Sequence, residues 1–308
     1  MVPLTSVLDD VHPPDRPPPA PPVLQPFRAI RLGALPSLGL YAAVARGSFR
    51  RYATYLSATW AGAFTNTVFG FFIAYTYRAL WEIRPHLGGY DLSGALTYVW
   101  LGQALLMPVA AMGGGFQDDL EARITNGDIA VDLYRPVDQQ SWWLASDLGR
   151  AGYHLLSRGM LPMLVGCLCF RLRLPSGGFA EAALTWCCFL LSVLLAVTVS
   201  FSLRYMASLT GFWLLDARGV RQITLVLGMF CSGFLLPLTL FPPALARIAQ
   251  HLPWAGMVQI PADVFLQQRT GSALATGLGM QFGWAVLLLG AGRLVQRAAS
   301  AKVVVQGG

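Results

Sequence analysis

The sequence predicts an all-α integral membrane protein: six transmembrane helices, an interfacial elbow helix before them, and a re-entrant or broken helical segment between the fifth and sixth spans. Three observations carry this expectation. Apolar residues make up 55% of the 308 and charged residues only 12%, where a soluble domain carries about 25% charged. Six stretches stay apolar over the roughly 20 residues that a spanning helix needs. The basic residues, all arginine except Lys302, flank those stretches.

The elements follow in order. Residues 1–37 hold half of the 20 prolines, including Pro17, Pro18, Pro19, Pro21 and Pro22. That composition reads as a disordered or polyproline II tail, without the apolar region of a secretory signal. From Leu38 to Arg51, Leu40, Ala43, Val44 and Gly47 share a helical face and Arg46, Arg50 and Arg51 close it. This is the elbow, a helix lying in the membrane interface. The spans are expected at 53–77, 94–114, 151–170, 181–203, 221–241 and 272–292. Between the last two, Pro242, Pro243, Pro253 and Pro261 break an apolar run over 242–266. Proline removes a helix donor, so this segment reads as one or two short helices dipping into the outer leaflet. Gly279 and Gly283, with Gly290 and Gly292 beyond, suit close helix packing. Residues 298–308 form a C-terminal tail.

Charge sets the orientation. With both termini inside, 16 of the 22 basic residues fall on the cytoplasmic side and 6 outside, as the positive-inside rule requires. These arginines are not interleaved with aromatics in a patch, which argues against nucleic acid as a partner. The five cysteines lie in apolar runs as packing residues, and the four histidines are scattered. No metal site, GxSxG, HExxH or phosphate-cradling GxxxxGK[ST] is present. The chain reads as a non-enzyme.

Two segments remain for function. Asp147, Arg150, His154 and Arg158 recur at helical spacing at the start of the third span. They form either a polar seam facing a translocation path or a helix whose Arg158 snorkels to the interface. Residues 115–147 carry seven acids against two arginines, a net of −5 in a protein of net +7. Their apolar stripes, broken at Asn126-Gly127, predict a helix, a turn and a second short helix. An acidic cytoplasmic loop of this kind is suited to meet a partner. Gly113, Gly114 and Gly115 just before it read as a hinge or a tight bend. Trp60, Phe64, Phe71 and Phe72, with Met229, Phe230, Phe234 and Arg158, are candidates for lining a substrate path.

The run Glu121, Ile124, Gly127, Ile129, Leu133, Arg135, Pro136 resembles the cytoplasmic signature of ABC-2 type transporter permeases. Ser232, Gly233, Pro237, Phe241, Pro242, Leu252, Pro253 and Pro261 match the same family's fifth span and re-entrant segment. The likeness covers residues 38–297 and is nearest to viologen- and daunorubicin-resistance permeases. It implies a multi-pass subunit in a bacterial cytoplasmic membrane, paired with a second permease, identical or homologous, and with two ABC ATPase subunits. No cofactor is expected on this chain; ATP and Mg belong to the ATPases. By resemblance Glu121, Arg123, Ile124, Gly127, Ile129, Leu133, Arg135 and Pro136 form the coupling contact, and the exported substrate is hydrophobic or amphipathic, drug-like and cationic among the options. Two other functions stay open. A stand-alone secondary transporter or channel would need ionisable residues within the spans or a filter. A membrane scaffold or assembly factor would use the acidic loop equally well.

Overall fold

A computed structural model describes residues 38–133, 135–214 and 216–303, the side chains of Leu133 and Val303 excepted. The proline-rich tail and the end of the C-terminal tail lie outside these residues. Among the described residues every regular element is helical.

In the described residues twelve α-helices follow one another: α1 Leu38–Ala53, α2 Leu56–Ile83, α3 Leu92–Leu106, α4 Phe116–Thr125, α5 Ile129–Leu133, α6 Gln139–His154, α7 Met160–Cys169, α8 Phe179–Leu209, α9 Arg218–Cys231, α10 Pro243–His251, α11 Gln259–Phe265 and α12 Gly271–Val303. A π-helical turn, Leu155–Gly159, joins α6 to α7. Among the described residues two stretches are long and apolar enough to cross a membrane: Phe179–Phe212, which contains α8, and Gly271–Lys302, within α12. They pack against one another, α1 packs on α6, and α2 packs on α3 and α7. The α1–α6 contact depends on Gly149, because a Cβ there would lie 2.0 Å from the Ala45 carbonyl oxygen. Ala45, Phe49 and Tyr52 make that contact, Phe49 edge-on to Tyr153 at 5.5 Å and Tyr52 edge-on to His154 at 5.1 Å. The face expected to be apolar, Leu40, Ala43, Val44 and Gly47, lines a cleft beside α4 and α6 instead.

The expected spans need three corrections and the expected helix packing one. The second helix stops at Leu106 rather than 114. Pro108 follows, and Ala110, Gly113, Gly114 and Gly115 all adopt positive φ, which an α-helix cannot continue through. The third helix starts at Gln139, so the last residues of the expected 115–147 loop belong to α6. The fifth stops at Cys231 rather than 241. Fourteen residues rise about 21 Å, short of a hydrocarbon core of ~30 Å. The chain then turns at Gly233, whose φ is 84°. On α12, Gly279, Gly283 and Gly290 have nothing within 4 Å of a built Cβ; the packed seam is Gln281, Ala285, Leu288 and Gly292.

Both breaks expose backbone groups that must be satisfied inside the protein. Side chains do this. After α3, Arg150 donates to the carbonyls of Met107 (2.7 Å) and Pro108 (2.9 Å), Ser200 to that of Val109, and Arg204 to that of Gly114 (3.0 Å). After α9, the Tyr98 hydroxyl donates to the Gly233 carbonyl (2.7 Å), Tyr77 to that of Leu235 (3.1 Å), and the Leu238 N–H to Gln259 Oε1 (2.8 Å). Gln259 belongs to α11, whose residues are all buried. Its Nε2 also donates to Asp263 Oδ1 (2.9 Å), which accepts from Tyr90 (2.5 Å), while Arg269 pairs with Oδ2 (3.2 Å). The broken segment thus forms two short helices as the prolines predict. Of these α11 is core, and α10 keeps Leu245 and Ile248 exposed.

Candidate functional site

The acidic segment folds as its pattern predicts: α4, a turn and α5. Gly127 sits at φ 80° in the turn, a conformation glycine adopts without steric cost. Asp132 is held from both sides, by Arg123 at 2.7 Å and Arg135 at 3.5 Å. These three side chains fold the segment back on itself.

Helix α4 is where several elements converge. Arg51 at the end of α1 pairs with Asp119 at 2.9 Å, and this bond holds the guanidinium above its ordinary pKa. Arg221 in α9 pairs with Asp118 at 2.7 Å and Glu121 at 3.2 Å. Ser208 in α8 donates to Glu121 (3.2 Å). Phe116 packs on Phe201, Tyr205 and Trp143, and the Arg204 guanidinium lies 5.0 Å from its ring.

Immediately beneath is a buried ion triad. Asp147 Oδ1 accepts from Arg150 at 2.7 Å and Oδ2 from Arg204 at 2.5 Å, with all three side chains almost fully buried. The same arginines bond the carbonyls of the break after α3. The segment leading into α4 is therefore tied to α6 and α8.

The candidate coupling residues separate into two groups. Ile129 is buried, Ile124 packs against the same core, and Glu121 turns inward to Arg221 and Ser208. Gly127, Arg135 and Pro136 are exposed, and Arg123 is partly so. Leu133 ends α5, and its side chain lies outside the described residues. Exposed Asp128 and Val131 join the outward group. The path candidates do not form one lining. Trp60, Phe64 and Phe72 on α2 and Phe230 on α9 are exposed; Phe71 packs edge-on to Trp100 at 5.3 Å. Phe234 lies against buried core and Met229 is half-buried. Helix α2 packs on α3 and α7, whereas α9 packs on α8. Arg158 falls in the π-helical turn and reaches α2 at Gly62.

The roles of Arg204, Arg221 and Ser208 escaped sequence reading, which took the two arginines as flanking charges. The spacing of Asp147 and Arg150 placed them on one helical face, but did not reveal their sharing of one ion triad with Arg204.

A chain helical throughout its described elements, whose backbone breaks are satisfied by buried side chains and whose long apolar helices leave wide faces exposed, has the character of an integral membrane protein. The family described as ABC-2 family transporter protein matches residues 64–307. The chain belongs to that family of membrane transport proteins. Among curated proteins none matches it.

Proposed function

We propose that this chain is the permease subunit of an ATP-driven exporter in a bacterial cytoplasmic membrane, of the branch containing viologen- and daunorubicin-resistance permeases. Its six crossings are α2, α3, α6 with α7, α8, α9 with the segment after it, and α12. Helix α1 is the interfacial elbow, and α10 and α11 form the re-entrant segment on the outer side. The transmembrane domain takes in residues 38–297, with a cytoplasmic tail at each end. A second permease, identical or homologous, and two ATPase subunits complete the assembly, with ATP and Mg bound on the ATPases. The substrate is apolar or amphipathic.

The observation that carries this reading is the convergence on α4. Helices α1, α8 and α9 each hold it by at least one polar bond, while Asp128, Val131 and Arg135 beside it face outward. A partner that grips the α4–α5 unit acts on all of these helices at once. ATP binding then shifts the balance between inward- and outward-open states by binding one of them more tightly. The ion-coupled alternative is disfavoured because, among the described residues, the buried acids Asp147 and Asp263 each already pair with arginine.

The test is co-purification of the tagged chain from native membranes with an ATPase subunit. Arg135→Glu, which reverses an exposed charge, is expected to reduce ATPase recovery at least severalfold without changing the permease yield. Purification without any ATPase, together with full export by Arg135→Glu, would overturn the proposal.

A further inference from the structure

Three arginines lie near one another on α6, the π-helical turn and α8, but only two are neutralised. Arg150 and Arg204 share Asp147 and bond backbone carbonyls. Among the described residues Arg158 has neither kind of partner, and its buried Nε makes no hydrogen bond. Its guanidinium rests on Gly62 of α2, where a Cβ would fall 1.5 Å from Nη2. One turn earlier on the same strip, the buried His154 Nδ1 is also without a partner. Both side chains line a cleft of about 290 Å³ together with Tyr52, Tyr55, Thr59 and the glycines 113–115. Among the described residues no acidic side chain lines it.

A buried donor without an acceptor is uncommon and calls for an explanation. An unpaired guanidinium with a second polar ring nitrogen and hydroxyl groups suits a tetrahedral or planar oxyanion. The π-helical geometry at Arg158 points the same way, since such turns recur at functional sites. Tyr55 in the lining is exposed, as are Trp60 and Phe64 further along on α2. A charged headgroup in the cleft would therefore leave an attached chain lying on an apolar helix face.

We propose that this cleft binds the phosphate or carboxylate headgroup of an anionic amphiphile, with Arg158 as the principal charge contact and His154 beside it. This rests on the permease reading and gives its substrate or its bound lipid a sign. It sets the headgroup site apart from the aromatic candidates considered for cationic cargo, which share no single lining among the described residues.

The experiment uses the full chain in phosphatidylcholine nanodiscs, with oleoyl lysophosphatidic acid as probe and oleoyl lysophosphatidylcholine as the neutral counterpart, bound species being counted by native mass spectrometry. The anionic probe is expected to bind at least about tenfold more tightly than its counterpart, the worth of one charge-assisted contact. Arg158→Gln should abolish that preference, Arg158→Lys should keep part of it, and Gly62→Ala should weaken it by displacing the guanidinium while retaining its charge. Arg247→Gln, on α10 well away in sequence, serves as the unchanged control. Displacement of the probe by phosphatidylglycerol assigns the site to a bilayer lipid; resistance to displacement assigns it to a transported amphiphile. Equal binding of the two probes, an unaltered preference in Arg158→Gln, or competition by inorganic phosphate alone at equal concentration would each overturn the proposal. None of these outcomes bears on ATPase co-purification, so the permease reading stands or falls separately.

Discussion

Replacing Asp147 by asparagine removes one negative charge from a site holding two arginines. The side chains of Asp147, Arg150 and Arg204 are 0%, 3% and 6% exposed, so water is in no position to take over the carboxylate's role. Asparagine keeps the shape but offers only one acceptor oxygen where Arg150 and Arg204 now bond separate carboxylate oxygens. Its amide would present a donor to the other guanidinium. Breaking a buried ion pair from one side costs about 3–5 kcal/mol. The arginines keep their bonds to the carbonyls of Met107, Pro108 and Gly114, which places the loss near the lower limit, ~3 kcal/mol. At roughly 2–4 °C per kcal/mol for a chain approaching this size, the unfolding midpoint should fall by about 6–12 °C. Thermal unfolding in detergent, followed by tryptophan fluorescence, measures it. A midpoint within about 3 °C of wild type would refute the argument, since the triad would then contribute no more than a solvated ion pair.

Other outcomes follow from the same contacts. Gly149→Ala puts a methyl group against the backbone of Ala45, which cannot rotate away. A cost of about 1–3 kcal/mol is expected, with faster trypsin cleavage at Arg46, Arg50 and Arg51 as α1 lifts; an unchanged cleavage rate would refute the close approach. Arg221→Ala frees α4 from α9. The pairs it breaks are partly exposed and worth up to about 1 kcal/mol, so amide exchange over residues 118–125 should rise several-fold with little change in the midpoint. No local change in exchange would show that α4 is held by its apolar side alone.

The hydrophobic pattern made the helical elements legible, but not where the helices end. Periodicity over 94–114 and 221–241 continues through Pro108 and Gly233, because apolar composition does not register a change in φ. The breaks are tolerated only because Arg150, Arg204, Ser200, Tyr77, Tyr98 and Gln259 arrive from distant segments to bond the freed backbone. The acidic segment was legible as helix, turn and helix, since Asn126-Gly127 is a local signal. Which of its residues face outward was not, because Glu121 is turned inward by Ser208 and Arg221, 87 and 100 residues away.

The sequence by itself determined the solvent, the helical class and the family likeness, because composition and local pattern follow from residues close together in the chain. Tertiary structure alone decided that Arg150 and Arg204 share Asp147 while Arg158 has no such partner. Whether a charge is neutralised depends on which helices pack side by side, and spacing along one helix leaves that open.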